Sequence, residues 1–483
     1  MTRTALAQLA EATGGIIPAD VDLARPCLLE SGGLVFSYGA VAEASAAFAH
    51  AIAAPRRQLA FALVTNDAAS VLGVLAAMIA NCAIALVDPV FSDATLARLI
   101  ETYAPDLILQ AETRPGHLEY EVAFRVYGLS AWRRQTITDG NLHPELFVLL
   151  STSGTTGAAK FVRLSQAAVT ANAHAIAQAL SIRSDDVAIA HLPLHYSYGM
   201  SVLTSHLTCG AAIFLTSKSL LDPCFWKDVQ LAHGSHFPGV PFHYTTLLRL
   251  GLERVVPTCV RTFTQAGGRL NLEARLKLYS AVNARGARLC IMYGQTEAAP
   301  RITTMPAERF LEKAETVGPA LSGGRLLILD EDGASLSCGT EGEIVYVGPN
   351  VMMGYAEGRA DLARGDEMHG RLRTGDRGRL DSDGYLTITG RNRSFAKVAG
   401  LRISLDDVEA KLKPPHDVAL VPGAECVVVF HSGESDVADL KARVVDLART
   451  QRIPPASYRL HALDAIPTLP SGKIDFAQLR ALA

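Results

Sequence analysis

The sequence predicts an α/β protein in two parts: a large N-terminal domain of parallel sheets covered by helices and carrying a distorted antiparallel barrel, then a small α+β C-terminal domain. Three observations predict it. Apolar runs such as Leu59 to Val64, Ala83 to Val87, Ala211 to Leu215 and Leu289 to Tyr293 alternate with alanine-rich stretches of helical period, the pattern of buried parallel strands joined by crossover helices. From Arg325 onward the short strands RLLILDEDG, GEIVYVG and GYLTITGR are set off by the pairs Asp332-Gly333 and Asp383-Gly384, which favour tight turns between antiparallel strands. After Gly390 the basic cluster RNRSFAK interrupts the strands and LRISLDDVEAKLK begins a helix, so domains 1–390 and 391–483 are expected.

The chain of 483 residues is too long for one hydrophobic core, and at 49% hydrophobic residues it has ample material for two. Its 45 basic and 48 acidic residues give a net charge of -3 without a long run of either sign, so it offers no electrostatic footprint for nucleic acid. The N-terminus MTRTALAQLAEATGG has no sustained apolar core, unlike a secretory signal, and a cytoplasmic location is expected. Val71 to Val87 is strongly apolar but short for a bilayer and interrupted by Asn81, which reads as a buried helix running into a buried strand rather than a membrane span. The eight cysteines are scattered with no CxxC pair, as expected of reduced, mostly buried thiols.

The segment STSGTTGAAK, Ser151 to Lys160, carries five hydroxyl residues, two glycines and a terminal lysine. Hydroxyls, accessible backbone amides and an ammonium are what a polyphosphate needs around it. It is not a Walker A loop, because Gly157 and Lys160 are separated by two alanines and Phe161 follows the lysine. Taken alone, such a loop between a strand and a helix is a common surface feature.

Other segments further along change its weight. STSGTTGAAK, YGQTEA (Tyr293 to Ala298), TGDRGRLD (Thr374 to Asp381), GRNRSFAKVAG (Gly390 to Gly400) and LPSGKID (Leu469 to Asp475) stand in order, and together they resemble the signatures of the adenylate-forming superfamily, which includes acyl- and aryl-CoA synthetases, adenylation domains of peptide synthetases and luciferases. FSYGAVAEASAAFA and VLAAMIANCAIALVDP resemble that family's early motifs, so the resemblance runs through the whole chain. It implies that a carboxylate attacks the α-phosphate of ATP, pyrophosphate leaves, and the acyl-adenylate passes to a thiol, with a mobile C-terminal lid turning between the halves.

The resemblance also assigns roles. Ser151, Thr152, Ser153, Thr155 and Thr156, with Gly154 and Gly157 allowing close backbone approach, would wrap the β- and γ-phosphates, and Lys160 would add a charge. Tyr293 belongs to the nucleotide site, Thr296 would meet the α-phosphate, and Glu297 would bind Mg²⁺, a hard cation that takes carboxylate and phosphate oxygens together. Asp376 would accept from the ribose hydroxyls, and Arg391 would reach the ribose or a phosphate. Lys473 would bridge carboxylate and α-phosphate as charge redistributes in the transition state. Arg393 falls at the hinge and Gly400 beside the pantetheine channel.

For the acid, the resemblance places His195 near the substrate carboxylate and thiol entry, and Tyr196, Ser197, Tyr198, Gly267, Gly268 and Met292 around the pocket. Ser197 stands where peptide-synthetase domains for α-amino acids carry an aspartate; without that carboxylate an ammonium group has no partner, so an α-amino acid is disfavoured. His191 and His195 lie four apart, but no glutamate and no third ligand completes a zinc site. Three positions depart from the family pattern: Ala159 for proline, Phe161 for glycine, and Phe476 for a basic residue. The expected acceptor is coenzyme A, with a carrier protein's phosphopantetheine arm as the alternative. A nucleotide-binding regulator without turnover is the alternative of another class. Oligomeric state is left open.

Overall fold

The apolar runs of the N-terminal part become the inner strands of two eight-stranded sheets. In the first, Leu107–Ala111, Leu59–Leu63, Ala83–Val87 and Leu146–Ser151 lie side by side in parallel, and Leu59–Leu63 and Ala83–Val87 are buried along their whole length. A strand covered on both faces has no solvent side to mark with polar residues, which is why these segments read as unbroken apolar runs. Antiparallel strands finish the sheet: Phe161–Ser165 and Gly354–Ala356 at one edge, Leu129–Arg134 and Tyr120–Val126 at the other.

The second sheet sets Pro26–Glu30, Ala212–Leu215, Val187–Ala190, His236–Gly239, Thr262–Gln265 and Arg288–Gly294 in parallel, in that spatial order. Val35–Ser37 and Arg301–Thr304 close its edges in antiparallel fashion. Side chains cap the connecting helices. Asp67 accepts from the Ser70 amide ahead of Ala68–Ile79, and Ser165 from the Ala168 amide ahead of Gln166–Leu180, each satisfying an N–H that the first helical turn leaves open, worth about 1 kcal/mol. The apolar stretch Val71 to Val87 resolves into the helix Ala68–Ile79 and the strand Ala83–Val87, with the chain reversing through Asn81 at φ 55°. Among the described residues no helix is long and apolar enough to cross a membrane.

The computed structural model describes residues 2–483 except 137–139, 152–159, 331, 392–394, 399–400, 414, 425, 434–435, 452 and 470–473. The described chain falls into two compact units, one reaching Leu326 and resuming over Tyr346–Leu372, the other holding Leu327–Val345 and Arg373–Ala483. The antiparallel piece is a four-stranded sheet ordered Arg325–Leu329, Gly342–Val347, Arg371–Leu380 and Leu386–Arg391. Beyond it come the hairpin Phe395–Val398 with Leu401–Ser404, the helix Leu405–Leu412, and a three-stranded sheet of Val418–Gly423, Cys426–Ser432 and Tyr458–Leu463. The helix Val437–Gln451 crosses over between the last two strands, which are parallel. Val398, Leu412, Val429 and Leu440 share an apolar core within this segment. All eight cysteines are free; four are buried, while Cys224 and Cys338 are exposed, so the expected general burial of the thiols holds for only half of them.

Candidate functional site

The strand Arg288–Gly294 carries Met292 and Tyr293 near its carboxyl end and then breaks into a short 3₁₀ turn, Thr296–Ala298. The break depends on Gly294: a Cβ there would lie 1.9 Å from the Pro300 carbonyl oxygen, so no other residue allows the return strand to approach so closely. Asn350 holds the turn from outside, donating to the carbonyls of Ala298 (2.6 Å) and Arg301 (3.0 Å) while its Oδ1 accepts from the Tyr346 hydroxyl (2.6 Å). The Met352 amide donates to the Glu297 carbonyl at 2.9 Å. Thr296 and Glu297 thus project from a turn fixed on both sides.

Their side chains tie the turn to two other segments. Thr296 Oγ1 donates to Ser197 Oγ (3.1 Å) at the start of the helix Ser197–Leu207. Tyr355 donates its hydroxyl to Glu297 Oε1 (2.6 Å), and Lys160 Nζ sits 3.8 Å from the centroid of the same tyrosine ring, a cation–π contact. Tyr355, which touches both Glu297 and Lys160, is a residue of this site that the sequence reading missed. It lies in Gly354–Ala356, which pairs with Phe161–Ser165 directly after Lys160, and nothing in VMMGYAEG marks it chemically.

Lys160 is aimed by its neighbour. Phe161 is buried with its ring 4.9 Å from Tyr103 and 5.9 Å from Phe61, so the residue standing in place of a glycine anchors the end of the loop in the core. Ser151 closes the preceding strand opposite Phe161. Thr152, Ser153, Gly154, Thr155, Thr156 and Gly157 lie outside the described residues.

His195 approaches from the loop ahead of the helix Ser197–Leu207, its Nε2 3.4 Å from Asp88 Oδ2. Burial lowers the pKa of this imidazole, with Asp88 and the Val64 backbone opposing the shift, so the neutral form, able to accept or pass a proton, is favoured. Asn66 shapes the loop: its amide donates to the carbonyls of Ala190 and Leu192, both at 2.9 Å, and its Oδ1 accepts from the Leu194 amide. Asp88 and Asn66 were also missed; each follows a strand end of the first sheet, the edge at which α/β proteins place ligands.

The pocket residues divide. The Tyr196 hydroxyl occupies the space beside Gly267, where a Cβ would lie 2.7 Å from it, so that glycine admits the tyrosine, while Gly268 faces Pro241. Tyr198 is buried, its hydroxyl donating to the Thr264 carbonyl at 2.9 Å. Together with Met292, Ser201, His206 and Arg301 it lines a narrow cavity. His191 belongs to the core, stacked on Phe237 at 4.8 Å, with Nε2 2.6 Å from the Pro238 carbonyl.

In the second unit Asp376 lies within the strand Arg371–Leu380, largely buried and opposite Arg391 in the antiparallel register, and Gly375 before it takes φ 74°, which glycine adopts without strain. The Asp376 amide donates to Thr374 Oγ1 (3.1 Å), and Thr374 in turn donates to the Ile344 carbonyl (2.8 Å). The side chain of Arg391 and the residues Arg393, Gly400 and Lys473 lie outside the described residues. The flank of Lys473 is well held: Ile474 bridges to Thr468, and Asp475 caps the helix Phe476–Leu482 by accepting from the Ala477 and Gln478 amides, both at 3.0 Å. Phe476 packs against the apolar cluster around Phe430 and Leu479, which accounts for an aromatic where a basic residue was expected.

Among the described residues no group of three or more His, Cys, Asp or Glu side chains could enclose a metal. A single carboxylate, Glu297, held by a hydroxyl and facing the lysine segment, instead suits Mg²⁺, which keeps waters and takes substrate phosphate oxygens.

A family model described as AMP-binding enzyme matches residues 21–356. The chain is 29% identical over 351 residues to a 2-succinylbenzoate–CoA ligase of Bacillus cytotoxicus, covering 70% of each. It is 29% identical over 352 residues to the medium-chain fatty-acid–CoA ligase of Escherichia coli, covering 70% of this chain and only 61% of that one. Its fold is similar to that of o-succinylbenzoate coenzyme A synthetase from Bacillus subtilis in complex with the acyl-adenylate intermediate, with a TM-score of 0.73 at 21% identity over 99% of this chain and 97% of the other.

Proposed function

The chain belongs to the AMP-binding enzyme family of the adenylate-forming superfamily, and from that membership we propose that it activates a carboxylic acid with ATP and passes the acyl group to the thiol of coenzyme A. In the first half a carboxylate oxygen bonds to the α-phosphorus as the bond to pyrophosphate breaks. In the second, the thiol sulfur bonds to the acyl carbon, AMP leaves with the former carboxylate oxygen, and the thiol proton passes to solvent. Both partners in the first half are anionic, so the work is charge neutralisation and alignment.

The observation that carries this reading is the chain of contacts from Lys160 through Tyr355, Glu297 and Thr296 to Ser197, which joins the phosphate-loop lysine to the wall of the acyl pocket. Lys160 and the hydroxyls of residues 151–156 hold the β- and γ-phosphates, and Thr296 holds the α-phosphate. Glu297 would hold Mg²⁺, which when bound neutralises phosphate charge and orients pyrophosphate for departure. His195, kept neutral by burial and placed against Asp88, orients the acid and receives the thiol. Asp376 and Arg391 take the ribose and phosphate edge. Residues 391–483 form the lid, turning at Arg393, bringing Lys473 to the reacting oxygens for adenylation and Gly400 to the pantetheine arm for thioester formation. A carrier protein presents the same phosphopantetheine thiol, and the product formed with each acceptor separates the two. Eight free cysteines, two of them exposed, fit a reducing cytoplasm.

Carboxylate-dependent ATP–pyrophosphate exchange, run with Mg²⁺ and no thiol over fatty, aryl, hydroxy, amino and dicarboxylic acids, tests the reading. Exchange with one class is expected, and Lys473→Ala is expected to lower it by about 100-fold or more with ATP binding intact, the loss typical of a group acting only in the transition state. A Lys473→Ala protein as active as the parent would remove that assignment. ATP binding without exchange for any acid would instead favour a regulator without turnover.

A further inference from the structure

The narrow cavity lined by Tyr198, Ser201 and Met292 holds an arginine with no acid to answer it. Arg301 is 3% exposed. Its Nη2 donates to Ser201 Oγ at 3.3 Å, its guanidinium lies 4.6 Å from the centroid of the Tyr198 ring, and its Nε has no hydrogen-bond partner. No carboxylate pairs with it among the described residues. The Tyr198 phenol cannot supply the missing charge, because burial holds it protonated and its hydroxyl is given to Thr264.

A buried guanidinium remains charged, and removing it from water without a counter-ion costs several kcal/mol. The backbone nevertheless keeps it there. Asn172 exchanges hydrogen bonds with both the amide (3.1 Å) and the carbonyl (2.8 Å) of Arg301, and Asn350 donates to the same carbonyl. An arginine fixed at both backbone groups, with its Nε unpartnered and no acid beside it, is preorganised for an anion that arrives later. The cavity wall joins the reacting centre directly, since Tyr198 follows Ser197 and Met292 precedes Tyr293.

Resting on the adenylation reading for the position of the reacting carboxylate, we propose that Arg301 is a specificity-determining residue that pairs with a second anionic group on the acid, so that the substrate is a short dicarboxylic acid. The reacting carboxylate sits by Thr296 and His195, and the distal one takes the guanidinium with the Ser201 hydroxyl beside it. On the wall of the same cavity, His206 is held neutral by burial, its pKa pushed down to about 3, and its Nδ1–H faces the Val202 carbonyl at 2.9 Å. Its Nε2, which has no partner, is therefore an acceptor; it repels a carboxylate and sets the length of the acid at Arg301. The cavity encloses only about 10 Å³, room for a single water, so the acid enters by displacing Met292, an unbranched side chain that re-packs easily.

The test compares matched pairs, a dicarboxylic acid and the monocarboxylic acid of equal chain length, by ATP–pyrophosphate exchange and by calorimetric binding without ATP. In the parent protein the diacid should lead in kcat/KM by about 100-fold, the scale of a desolvated charge pair. Arg301→Met should collapse that ratio through KM of the diacid, and Arg301→Lys should restore part of it. Equal use of the two acids by the parent protein would overturn the proposal without any variant, and so would an Arg301→Met protein in which both acids lose activity equally, the behaviour of a structural arginine around a trapped water. Arg301-dependent binding of the diacid with no exchange for any acid would keep this inference and remove the adenylation reading. Exchange with monoacids alone would do the reverse.

Discussion

Two arginines in the same unit are both buried and solve the problem of burial in opposite ways. Arg163, on the strand Phe161–Ser165, has no exposed side-chain surface and spends every nitrogen: Nε on the Tyr355 carbonyl, Nη1 on the carbonyls of Arg364 and Gly365, Nη2 on the Met353 carbonyl and the Glu367 carboxylate. Arg301, on the last strand of the other sheet, has one weak hydroxyl contact and a tyrosine face. The first is a clamp, pulling the segment from Met353 to Glu367 onto the sheet so that Tyr355 meets Glu297. The second is a vacancy in the charge balance. The contrast teaches that burial alone does not distinguish a structural cation from one kept for a ligand; the count of satisfied donors does.

Breaking the clamp should have the largest effect on stability. Arg163→Met takes one donor each from four carbonyls and from the Glu367 carboxylate, which keeps only Arg364, and a loss of about 3 kcal/mol is expected, read as a lower urea midpoint at unchanged slope. Gly354 makes the clamp possible: at φ 133° a Cβ would lie 2.4 Å from Glu367 and 2.7 Å from Arg163 Nη2. A variant as stable as the parent would mean that the arginine's bonds are exchanged for water at no cost, and the contrast with Arg301 would fail.

One step further along the clamp, Tyr355→Phe removes a single hydroxyl and keeps the ring under Lys160. It should leave folding unchanged, lower exchange kcat/KM about tenfold, the cost of one hydrogen bond to a charged group, and raise the Mg²⁺ concentration needed for half-maximal rate. A normal Mg²⁺ dependence would show that Tyr355 does not orient Glu297.

The contrast also marks what could be read from the sequence. Buried parallel strands announce themselves as apolar runs, and motifs such as YGQTEA and STSGTTGAAK advertise chemistry because their residue types are unusual for a core. Arg163 and Arg301 lie in FVRLS and PRITT, where a lone arginine in a strand reads as an outward charge; only the register that turns each inward reveals it. Tyr355, Asn66 and Asp88 were missed for the same reason, since their roles come from partners distant in sequence: Glu297 for Tyr355, the carbonyls of Ala190 and Leu192 for Asn66, and His195 for Asp88. Phe161 and Phe476 looked like losses from a phosphate loop and a lysine loop, and each is an anchor whose value depends on a core that a local motif does not show.

The smallest expected effect is the one that separates the arginines most cleanly. If Arg301 is held unsatisfied for a ligand, its replacement by methionine removes a desolvated charge and fills the same volume with a flexible apolar chain, so the protein should become more stable by about 1 kcal/mol while losing its acid preference. The sign is the diagnostic. A structural arginine, like Arg163, can only lose stability on the same change. Adding the dicarboxylic acid should then reverse the order, because a ligand that binds only the folded parent protein raises its stability by mass action, about 2.7 kcal/mol at one hundred times Kd, and leaves Arg301→Met where it was. Thermal unfolding of the two proteins with and without the acid reads both signs in one experiment. If Arg301→Met is instead destabilised and gains the same shift from the acid as the parent, Arg301 belongs with Arg163 among the clamps.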